Sequence, residues 1–346
     1  MFTHTFPTGT VQYLLHQSFS TITQLYPKDK CIIITDANVA KLHGHLFEGF
    51  KGVITIPAGE NNKSLPVINT LASQLLRYEA HKKTMLVGVG GGMVTDITGF
   101  IASIYMRGVP FGFVPTTLLG MIDAAIGGKN GINIGLQKNL LGAIRQPEFI
   151  LYDNSLLKTL PKAEWANGFA EIIKYACLFD EQLFAKLAKH DIKHYKEDAT
   201  AQEQLIETCV AFKNDIVLAD EQEQGRRKLL NFGHTAGHAF ETLHNLPHGH
   251  AVALGMIVAC IVSETVLGLS GSVKNKLAML LLRYQLPISV DFTPDRVIDV
   301  LRMDKKRNAD KVEFIMLNAI GDPMVMPIPF NIIHSALNTF CDASKV

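Results

Sequence analysis

The sequence has no excess of charge of either sign. Its 33 lysine and arginine residues nearly balance its 32 aspartate and glutamate residues, which leaves a formal net charge of +1 and a pI of about 7.7. A chain with this balance has no global field to attract nucleic acid or an anionic membrane. We therefore expect no nucleic-acid partner and no membrane partner, and any bound anion must be held by a local cluster of basic side chains.

Cysteine pairs and apolar runs of membrane-spanning length are also lacking. The five cysteines are far apart and form no metal-type pair, so we expect buried free thiols in a reducing compartment. The N-terminal stretch MFTHTFPTGT has no basic region followed by an apolar segment, and the longest apolar run, AVALGMIVACIVS, is too short for a bilayer. These features predict a cytoplasmic protein in which this run is a buried helix.

The pattern of apolar residues divides the chain into two parts. With 346 residues, 47% of them hydrophobic, the chain can bury a large core. Short β-branched runs alternate with amphipathic segments as far as about Pro161, whereas helical periodicity dominates beyond it. The sequence thus predicts an α/β Rossmann-like parallel-sheet domain over residues 1–160 and a mainly α-helical domain over residues 161–346.

Histidine is concentrated in the segment LLNFGHTAGHAFETLHNLPHGHAVALGM, which holds five of the 13 histidines of the chain. His234 and His238 are one helical turn apart, and His248, in the turn after Pro247, could close on the same site. Neutral imidazole is the commonest metal ligand in proteins, so the cluster favours a metal or an anionic substrate. Each histidine alone is also compatible with a capping or core role.

Glu171 is a second candidate for a metal ligand. It lies inside the apolar stretch FAEII, where a carboxylate needs a cation. Lys174 is on the same helical face and offers an ordinary surface salt bridge. A metal shared with the histidines would supply the cation instead.

A glycine turn follows the strand TMLVGV in the first part of the chain. Gly90, Gly91 and Gly92 separate this strand from the helix MVTDITGFIASIYM, an arrangement typical of a pyrophosphate cradle. The spacing is not GxGxxG, and the acidic candidates Asp36 and Glu60 precede the glycines, so a tight structural turn is the alternative.

Lysine and asparagine side chains interrupt the glycine-rich segment that follows, DAAIGGKNGINIGLQKN, which suggests a multiply charged small molecule as the ligand. Lys129 stands in GGKNG without the GxxxxGK[ST] frame of nucleotide loops. The segment therefore does not indicate a nucleoside triphosphatase.

Short motifs along nearly the whole chain resemble those of the 3-dehydroquinate synthase family of sugar-phosphate cyclases. They occur in the family's order: PAGENNKS, GGGMVTDITGF, YMRG, PTTLL, DAAIGGKNGIN, KN, TLP, GFAEIIK, DEQEQGRRKLLNFGHTAGHAFE, HGHAVALGM and DKK. An ordered set of this kind is far more specific than any single motif.

The resemblance implies two cofactors and an active site in the cleft between the two domains. One divalent metal, zinc or else cobalt, would be held by Glu171, His234 and His248. NAD would lie across the first domain. The implied NAD-binding residues are Asp36, Asn38, Glu60, Lys63, Gly91, Gly92, Asp96, Thr116, Thr117, Asp123, Lys138, Asn139, Thr159 and Leu160.

The resemblance also implies the reaction. A seven-carbon keto-acid phosphate, 3-deoxy-D-arabino-heptulosonate 7-phosphate, would be converted to 3-dehydroquinate and phosphate by transient oxidation, phosphate β-elimination, re-reduction and aldol closure. The implied substrate residues are Lys129, Lys174, Lys213, Arg227, Asn231, His238 and Lys305. Arg107 of YMRG would reach the active site of a neighbouring subunit in a homodimer.

One position departs from the family's pattern, and three alternatives compete with this function. His250 follows Gly249 where the family usually has Glu, and it either hydrogen-bonds near the metal or competes for it. The alternatives are a cyclase whose substrate has no carboxylate, an NAD-dependent metal polyol dehydrogenase of the same general fold, and an inactive relative. Lys213, Arg227 and Lys305 together favour a substrate with a carboxylate as well as a phosphate.

Overall fold

Strands and helices alternate in the first part of the chain, as the sequence predicted. The computed structural model describes residues 1–135, 137–303 and 310–343. The elements of the first part are β1 (Phe2–Phe6), β2 (Gly9–Leu15), α1 (Ile22–Leu25), β3 (Cys31–Asp36), α2 (Ala37–His43), β4 (Gly52–Ile56), α3 (Leu65–Arg77), β5 (Met85–Gly90), α4 (Gly92–Ile104), β6 (Phe111–Pro115), β7 (Lys129–Ile134), β8 (Gln137–Ile144) and β9 (Phe149–Tyr152).

Seven of these strands form one sheet in the order β1-β2-β9-β6-β5-β3-β4. Neighbouring strands are parallel except for β1 and β2, which form an antiparallel hairpin at the edge. Every residue of β3 and of β5 is buried, which explains their almost continuous apolar sequences, CIIITD and MLVGVG. The predicted Rossmann-like parallel sheet is confirmed.

The carboxyl ends of the parallel strands meet at one edge of this sheet. Strand β3 ends at Asp36, β5 ends at Gly90 and β6 ends at Pro115, and their register pairs Thr35 with Val89 and Gly90 with Pro115. Ligands of open α/β sheets are held outside this edge. The fold thus gathers the residues that follow each of these strands.

Helices dominate the second part of the chain, again as predicted. Its elements are α5 (Lys162–Phe179), α6 (Glu181–Leu187), α7 (Ile192–Glu197), α8 (Ala199–Ala219), α9 (His234–His244), α10 (His248–Leu267), α11 (Gly271–Arg283), α12 (Pro294–Met303), β10 (Lys311–Ala319), β11 (Asp322–Pro329) and α13 (Phe330–Ala343). Strands β10 and β11 form an antiparallel hairpin, and all five cysteines are buried free thiols, as predicted.

The chain forms two compact units whose boundary differs from the prediction. The first comprises Met1–Glu164 and Gln202–Gln222, and the second comprises Trp165–Ala201 and Glu223–Val346. The prediction was a single boundary between residues 160 and 161. In the structure most of α8, which lies after that boundary, belongs to the first unit. Asn214 on this helix accepts a hydrogen bond from the buried Tyr13 hydroxyl of β2, a pairing between distant segments that periodicity does not reveal.

Helix α10 is long and apolar enough to span a membrane by length and composition alone. Within the protein, however, 72% of its most apolar window is buried. A helix that is apolar all round is typical of a protein core, so the predicted buried helix is confirmed. It begins at His248, three residues before the predicted Ala251, so His248 lies in the first helical turn and not in a preceding loop.

Glycine permits a close approach of the α9 and α10 backbones. A β-carbon at Gly255 of α10 would lie 1.8 Å from the carbonyl oxygen of Gly233, the residue that precedes α9. Gly233 itself has a φ of 78°, in the left-handed region that favours glycine. These contacts fix the start of α9, and with it His234, against the middle of α10.

We predict that Gly255→Ala destabilises the protein because the added methyl group forces α9 and α10 apart. The expected loss in the free energy of unfolding is about 1–3 kcal/mol, as for other overpacked cores, and urea denaturation measures it. Gly271→Ala is the control, since its β-carbon would meet nothing nearer than Glu264 at 3.5 Å. Equal stability of the two variants would contradict the close packing described here.

Candidate active site

One carboxylate and two imidazoles converge in the second unit. Glu171 Oε1 lies 3.1 Å from His248 Nε2 and 3.5 Å from His234 Nε2. One ligand atom from each residue lies within 4.8 Å of the other two. A tetrahedral zinc ion with bonds of about 2.0–2.1 Å sets its ligand atoms about 3.3 Å apart. The spacing of the three side chains therefore fits a zinc-sized ion.

Each member of this group comes from a different helix. Glu171 is in the middle of α5, whereas His234 and His248 are the first residues of α9 and α10. The Nδ1 atom of His234 lies 3.2 Å from the carbonyl oxygen of Phe232, which leaves Nε2 directed at Glu171. The helix starts thus present the same nitrogen of both rings to one carboxylate oxygen.

Burial and nearby cations oppose each other at Glu171. The residue is fully buried, which raises the pKa of its carboxyl group, but Lys174, His234 and His248 outweigh burial and hold that pKa well below the usual range. The Lys174 ammonium forms an ion pair with Oε2, and Lys174 is only 2% exposed. Glu171 and Lys174 do form a salt bridge, but it is buried, so the prediction that it lies at the surface is wrong.

The two histidines of the group differ in protonation. Burial lowers the pKa of His248, but the hydrogen bond to Glu171 and the negative charges of Glu171 and Glu241 outweigh it and raise that pKa to about 9. Burial and then the Lys174 charge lower the pKa of His234 well below its usual value. Without a metal, the charges of Lys174 and a protonated His248 together balance the two carboxylates that they contact, those of Glu171 and Glu241.

The remaining predicted substrate residues of the second unit occupy varied positions. His238 is exposed, one turn after His234, and the two ring centroids are 5.3 Å apart. Asn231 donates a hydrogen bond to Glu223 Oε1 at 2.7 Å, while Arg227 is buried. Among the described residues the ligand group contains His248 and not His238, the alternative that helical spacing left open. Lys305 lies outside the described residues.

Four of the predicted NAD-binding residues belong to one polar network in the first unit. Lys63 is buried, forms an ion pair with Asp96 and donates a hydrogen bond to Asn139. The Asn139 backbone N–H donates to Asn133 Oδ1, and the Asn133 amide donates to Glu60 Oε1, both at 2.9 Å. The structure therefore brings together Glu60, Lys63, Asp96 and Asn139.

A second ion pair of the first unit joins a predicted substrate residue to a predicted cofactor residue. Lys213 of α8 donates to Asp123 Oδ1 at 2.7 Å and also to the Asp123 carbonyl oxygen. Lys213 is buried, so its ammonium has exchanged water for these two acceptors. The return of α8 to the first unit is what makes this pairing possible.

The glycine turn has a packing role that the sequence left open. A β-carbon at Gly90 would lie 2.5 Å from Val94 of α4, and one at Gly91 would lie 3.0 Å from Thr117. Helix α4 begins at Gly92, and the backbone N–H groups of Val94 and Thr95 donate hydrogen bonds to the carbonyl oxygen of Gly91. Gly90 is therefore needed for strand–helix packing, while the helix start at Gly91 and Gly92 retains the polarity that favours an anion.

Most of the other predicted residues of the first unit follow a strand of the sheet or lie in the hairpin β7–β8, whereas Arg107 follows α4 and precedes β6. Asp36 caps α2 through Oδ1, which accepts from the N–H groups of Asn38 and Val39. The Thr159 hydroxyl contacts His43 Nε2 at 2.9 Å. Thr116 and Leu160 are buried, Thr117 is half-buried, and Asn38, Arg107, Lys129 and Lys138 are exposed.

The sequence analysis missed two residues beside the metal group, as we call Glu171, His234 and His248, and one residue beside Asn231. The Glu241 carboxylate lies 3.7 Å from His248 Nδ1, Asn167 accepts from the Gly249 N–H, and Glu223 pairs with Asn231. Glu241 is two turns after His234, and Asn167 is one turn before Glu171. Helical spacing from the candidate ligands was the signal that could have identified these two. The carboxylate beside His248 is thus Glu241, while His250 is half-buried in the same turn of α10.

Comparison with known proteins assigns both parts of the chain to one family. The family described as 3-dehydroquinate synthase N-terminal matches residues 53–167, and 3-dehydroquinate synthase C-terminal matches residues 168–307. The chain is 35% identical over 322 residues to the 3-dehydroquinate synthase of Dehalococcoides mccartyi, covering 90% of each protein.

Two solved structures are similar to this chain in fold. ValA, a 2-epi-5-epi-valiolone synthase from Streptomyces hygroscopicus subsp. jinggangensis 5008 with NAD+ and Zn2+ bound, is 25% identical with a TM-score of 0.87, over 96% of each chain. A 2-deoxy-scyllo-inosose synthase complexed with carbaglucose-6-phosphate, NAD+ and Co2+ shares the fold at 22% identity and a TM-score of 0.81, over 98% of this chain and 99% of that one. The two family matches and the similarity to the D. mccartyi enzyme show that the chain belongs to the 3-dehydroquinate synthase family.

Proposed function

We propose that this protein is a 3-dehydroquinate synthase that converts 3-deoxy-D-arabino-heptulosonate 7-phosphate to 3-dehydroquinate and phosphate. The observation that carries the proposal is the buried group of Glu171, His234 and His248 in a chain of this family. A carboxylate and two imidazoles leave further positions of a metal open to substrate, as in catalytic sites rather than closed structural ones.

The donor set and the polar residues of the first unit fit the two cofactors of the proposal. ValA, the related cyclase, holds NAD+ and Zn2+, and we propose NAD and one divalent metal, zinc or else cobalt, for this protein. Bound there, the metal would polarise a substrate hydroxyl and NAD would accept a hydride and later return it. The ribose and pyrophosphate would be held by the predicted set at the carboxyl edge of the sheet, from Asp36 to Leu160.

Within the proposed reaction, basic side chains bind the two anionic groups of the substrate. Lys129, Lys213 and Arg227 carry fixed positive charges that hold the phosphate and the carboxylate and stabilise charge as the phosphate departs. Asp123 keeps the Lys213 ammonium in place by accepting its hydrogen bonds. Asn231, His238 and Lys305 complete the proposed substrate set.

Lys174 has a further role in this proposal besides contact with substrate. Its ammonium touches Oε2 of Glu171, so it limits the negative charge that the carboxylate presents through Oε1. A ligand of reduced basicity binds its metal less tightly and leaves the metal more electrophilic. We propose that Lys174 tunes the metal site in this way.

Similarity favours this reaction over the alternatives. The 3-dehydroquinate synthase of D. mccartyi is 35% identical to the chain, whereas ValA, a cyclase with a different product, is 25% identical. We also propose a homodimer in which Arg107 serves the partner's active site, and a cytoplasmic location. Arg107 is exposed and has a φ of 63°, so its side chain is available at a tight turn.

The experiment that tests the function supplies the seven-carbon keto-acid phosphate to chelator-stripped protein. Phosphate release is measured with and without added zinc and catalytic NAD, while absorbance reports any accumulated NADH. Release that requires both additions and leaves no net NADH supports the proposal. Net NADH would instead indicate a polyol dehydrogenase, and binding without turnover would indicate an inactive relative or a different substrate.

Two substitutions separate metal binding from substrate binding. We predict that His234→Ala removes zinc and activity together, because it deletes one of three ligands. Lys129→Ala should retain zinc and lower kcat/KM at least ~100-fold, as expected when a charge that stabilises the transition state is lost. Metal content and phosphate release are measured together.

The exposed Lys193, 76% accessible and on α7, provides a matched control in which Lys193→Ala changes neither quantity. Full activity of Lys129→Ala would rule out its proposed contact with substrate. Retention of stoichiometric zinc by His234→Ala would rule out the assigned ligand set.

Zinc binding should depend on pH through His248. Its pKa is raised from 6.5 to about 9 in the metal-free fold, so its protonated form stabilises that fold below pH 6.5 and the contribution is lost as pH rises through about 9. Zinc requires the neutral ring. We therefore predict that the increase in melting temperature caused by saturating zinc grows between about pH 6.5 and about pH 9. A zinc effect that is constant over this interval would contradict the assigned protonation of His248.

A further inference from the structure

The Nδ1 atoms of the two imidazoles of the metal group, on the side of each ring away from Glu171, have different neighbours. His234 Nδ1 faces a backbone carbonyl oxygen, that of Phe232, at 3.2 Å. His248 Nδ1 faces the side chain of Glu241, whose Oε1 lies 3.7 Å away. Because the second contact depends on a side chain, it can be altered by substitution without changing the backbone.

We propose that Glu241 is a positioning residue that orients His248 for the metal. Its carboxylate attracts the Nδ1–H side of the ring, which leaves the Nε2 lone pair directed at Glu171 and the proposed ion. Metal-bound histidines commonly donate their other N–H to a carboxylate, which fixes the tautomer and raises the basicity of the ligand. This inference rests on the proposed function, since it concerns the metal site of that function.

The location of Glu241 agrees with this role. It is only 6% exposed, and a buried carboxylate requires a charged or hydrogen-bonding partner. It follows His234 by two helical turns on α9, so one helix supplies both a metal ligand and the carboxylate behind the other ligand. The close approach of the two backbones at Gly255 keeps α9, which carries Glu241, packed against α10, which carries His248.

Asn167 holds the backbone directly after the same histidine. Its Oδ1 accepts a hydrogen bond from the Gly249 backbone N–H, and a β-carbon at Gly249 would lie 2.4 Å from the Asn167 carbonyl oxygen. Asn167 thereby anchors the first turn of α10 to α5, one turn before Glu171. With the backbone of His248 held by α5, the remaining freedom is the rotation of its ring, which Glu241 restricts.

A purely structural role for Glu241 makes a different prediction from a positioning role. If the carboxylate only stabilised the fold, its loss would lower the melting temperature of metal-free protein and leave zinc affinity unchanged. If it orients His248, its loss weakens zinc binding itself. Gln at this position keeps the size and one acceptor oxygen, so it should restore part of the affinity that Ala loses.

The test is a zinc titration of chelator-stripped protein against a competing chromophoric chelator. We expect Glu241→Ala to raise the zinc Kd by roughly 10–100-fold, the usual effect of removing a carboxylate behind a ligand histidine, and Glu241→Gln to raise it less. Glu264→Gln, which alters a carboxylate of α10 paired with Lys274 outside the metal group, should leave the Kd unchanged. Visible spectra of the cobalt(II) forms provide a second readout of the ligand geometry.

Outcomes of this titration separate the inference from the proposed function. If the wild type binds zinc and both Glu241 variants have the same Kd and cobalt spectrum as the wild type, the role of Glu241 is overturned and the proposed metal site is not. If Glu241→Ala does not fold, Glu241→Gln decides the question by the same criteria. Failure of the wild type to bind zinc would overturn the proposed metal site, and the role of Glu241 with it.

Discussion

The need to neutralise one buried carboxylate governs the arrangement of the second unit. Glu171 has no exposed surface, and an ionised carboxylate without water must be balanced by positive charge. Lys174 occupies one of its oxygens and the two histidines face the other. Lys174 alone could balance the charge, so the additional convergence of two imidazoles is what indicates a metal rather than a structural ion pair.

Helix ends and close helix packing fix the positions of the two histidines relative to each other. Both histidines are first residues of helices, and the α9 and α10 backbones approach each other at Gly233 and Gly255. Ring orientation is then set by an acceptor behind each Nδ1 atom. The helix packing that forms the core of the second unit therefore also sets the geometry of the site. A substitution that disturbs this packing should weaken metal binding.

Periodicity predicted most of the elements, because the apolar strands and the amphipathic helices follow simple repeats. It could not predict that α8 returns to the first unit, since the contacts of Asn214 and Lys213 join segments far apart in sequence. Spacing alone also left His238 and His248 as competing ligands. Resemblance to the family separated them, and the position of His248 at the start of α10 gives the physical reason. Glu241 escaped notice because one carboxylate on a helix is usually a solvated residue.

The proposed catalysis requires that Glu171, His234 and His248 hold one metal ion. X-ray diffraction from crystals of the zinc-loaded protein, recorded on both sides of the zinc absorption edge, tests it most directly. We expect one strong anomalous peak about 2.0–2.2 Å from Glu171 Oε1 and from Nε2 of both histidines, with Glu241 beside Nδ1 of His248. A peak on His238 or His250 in place of His248, or no peak at the group, would contradict it.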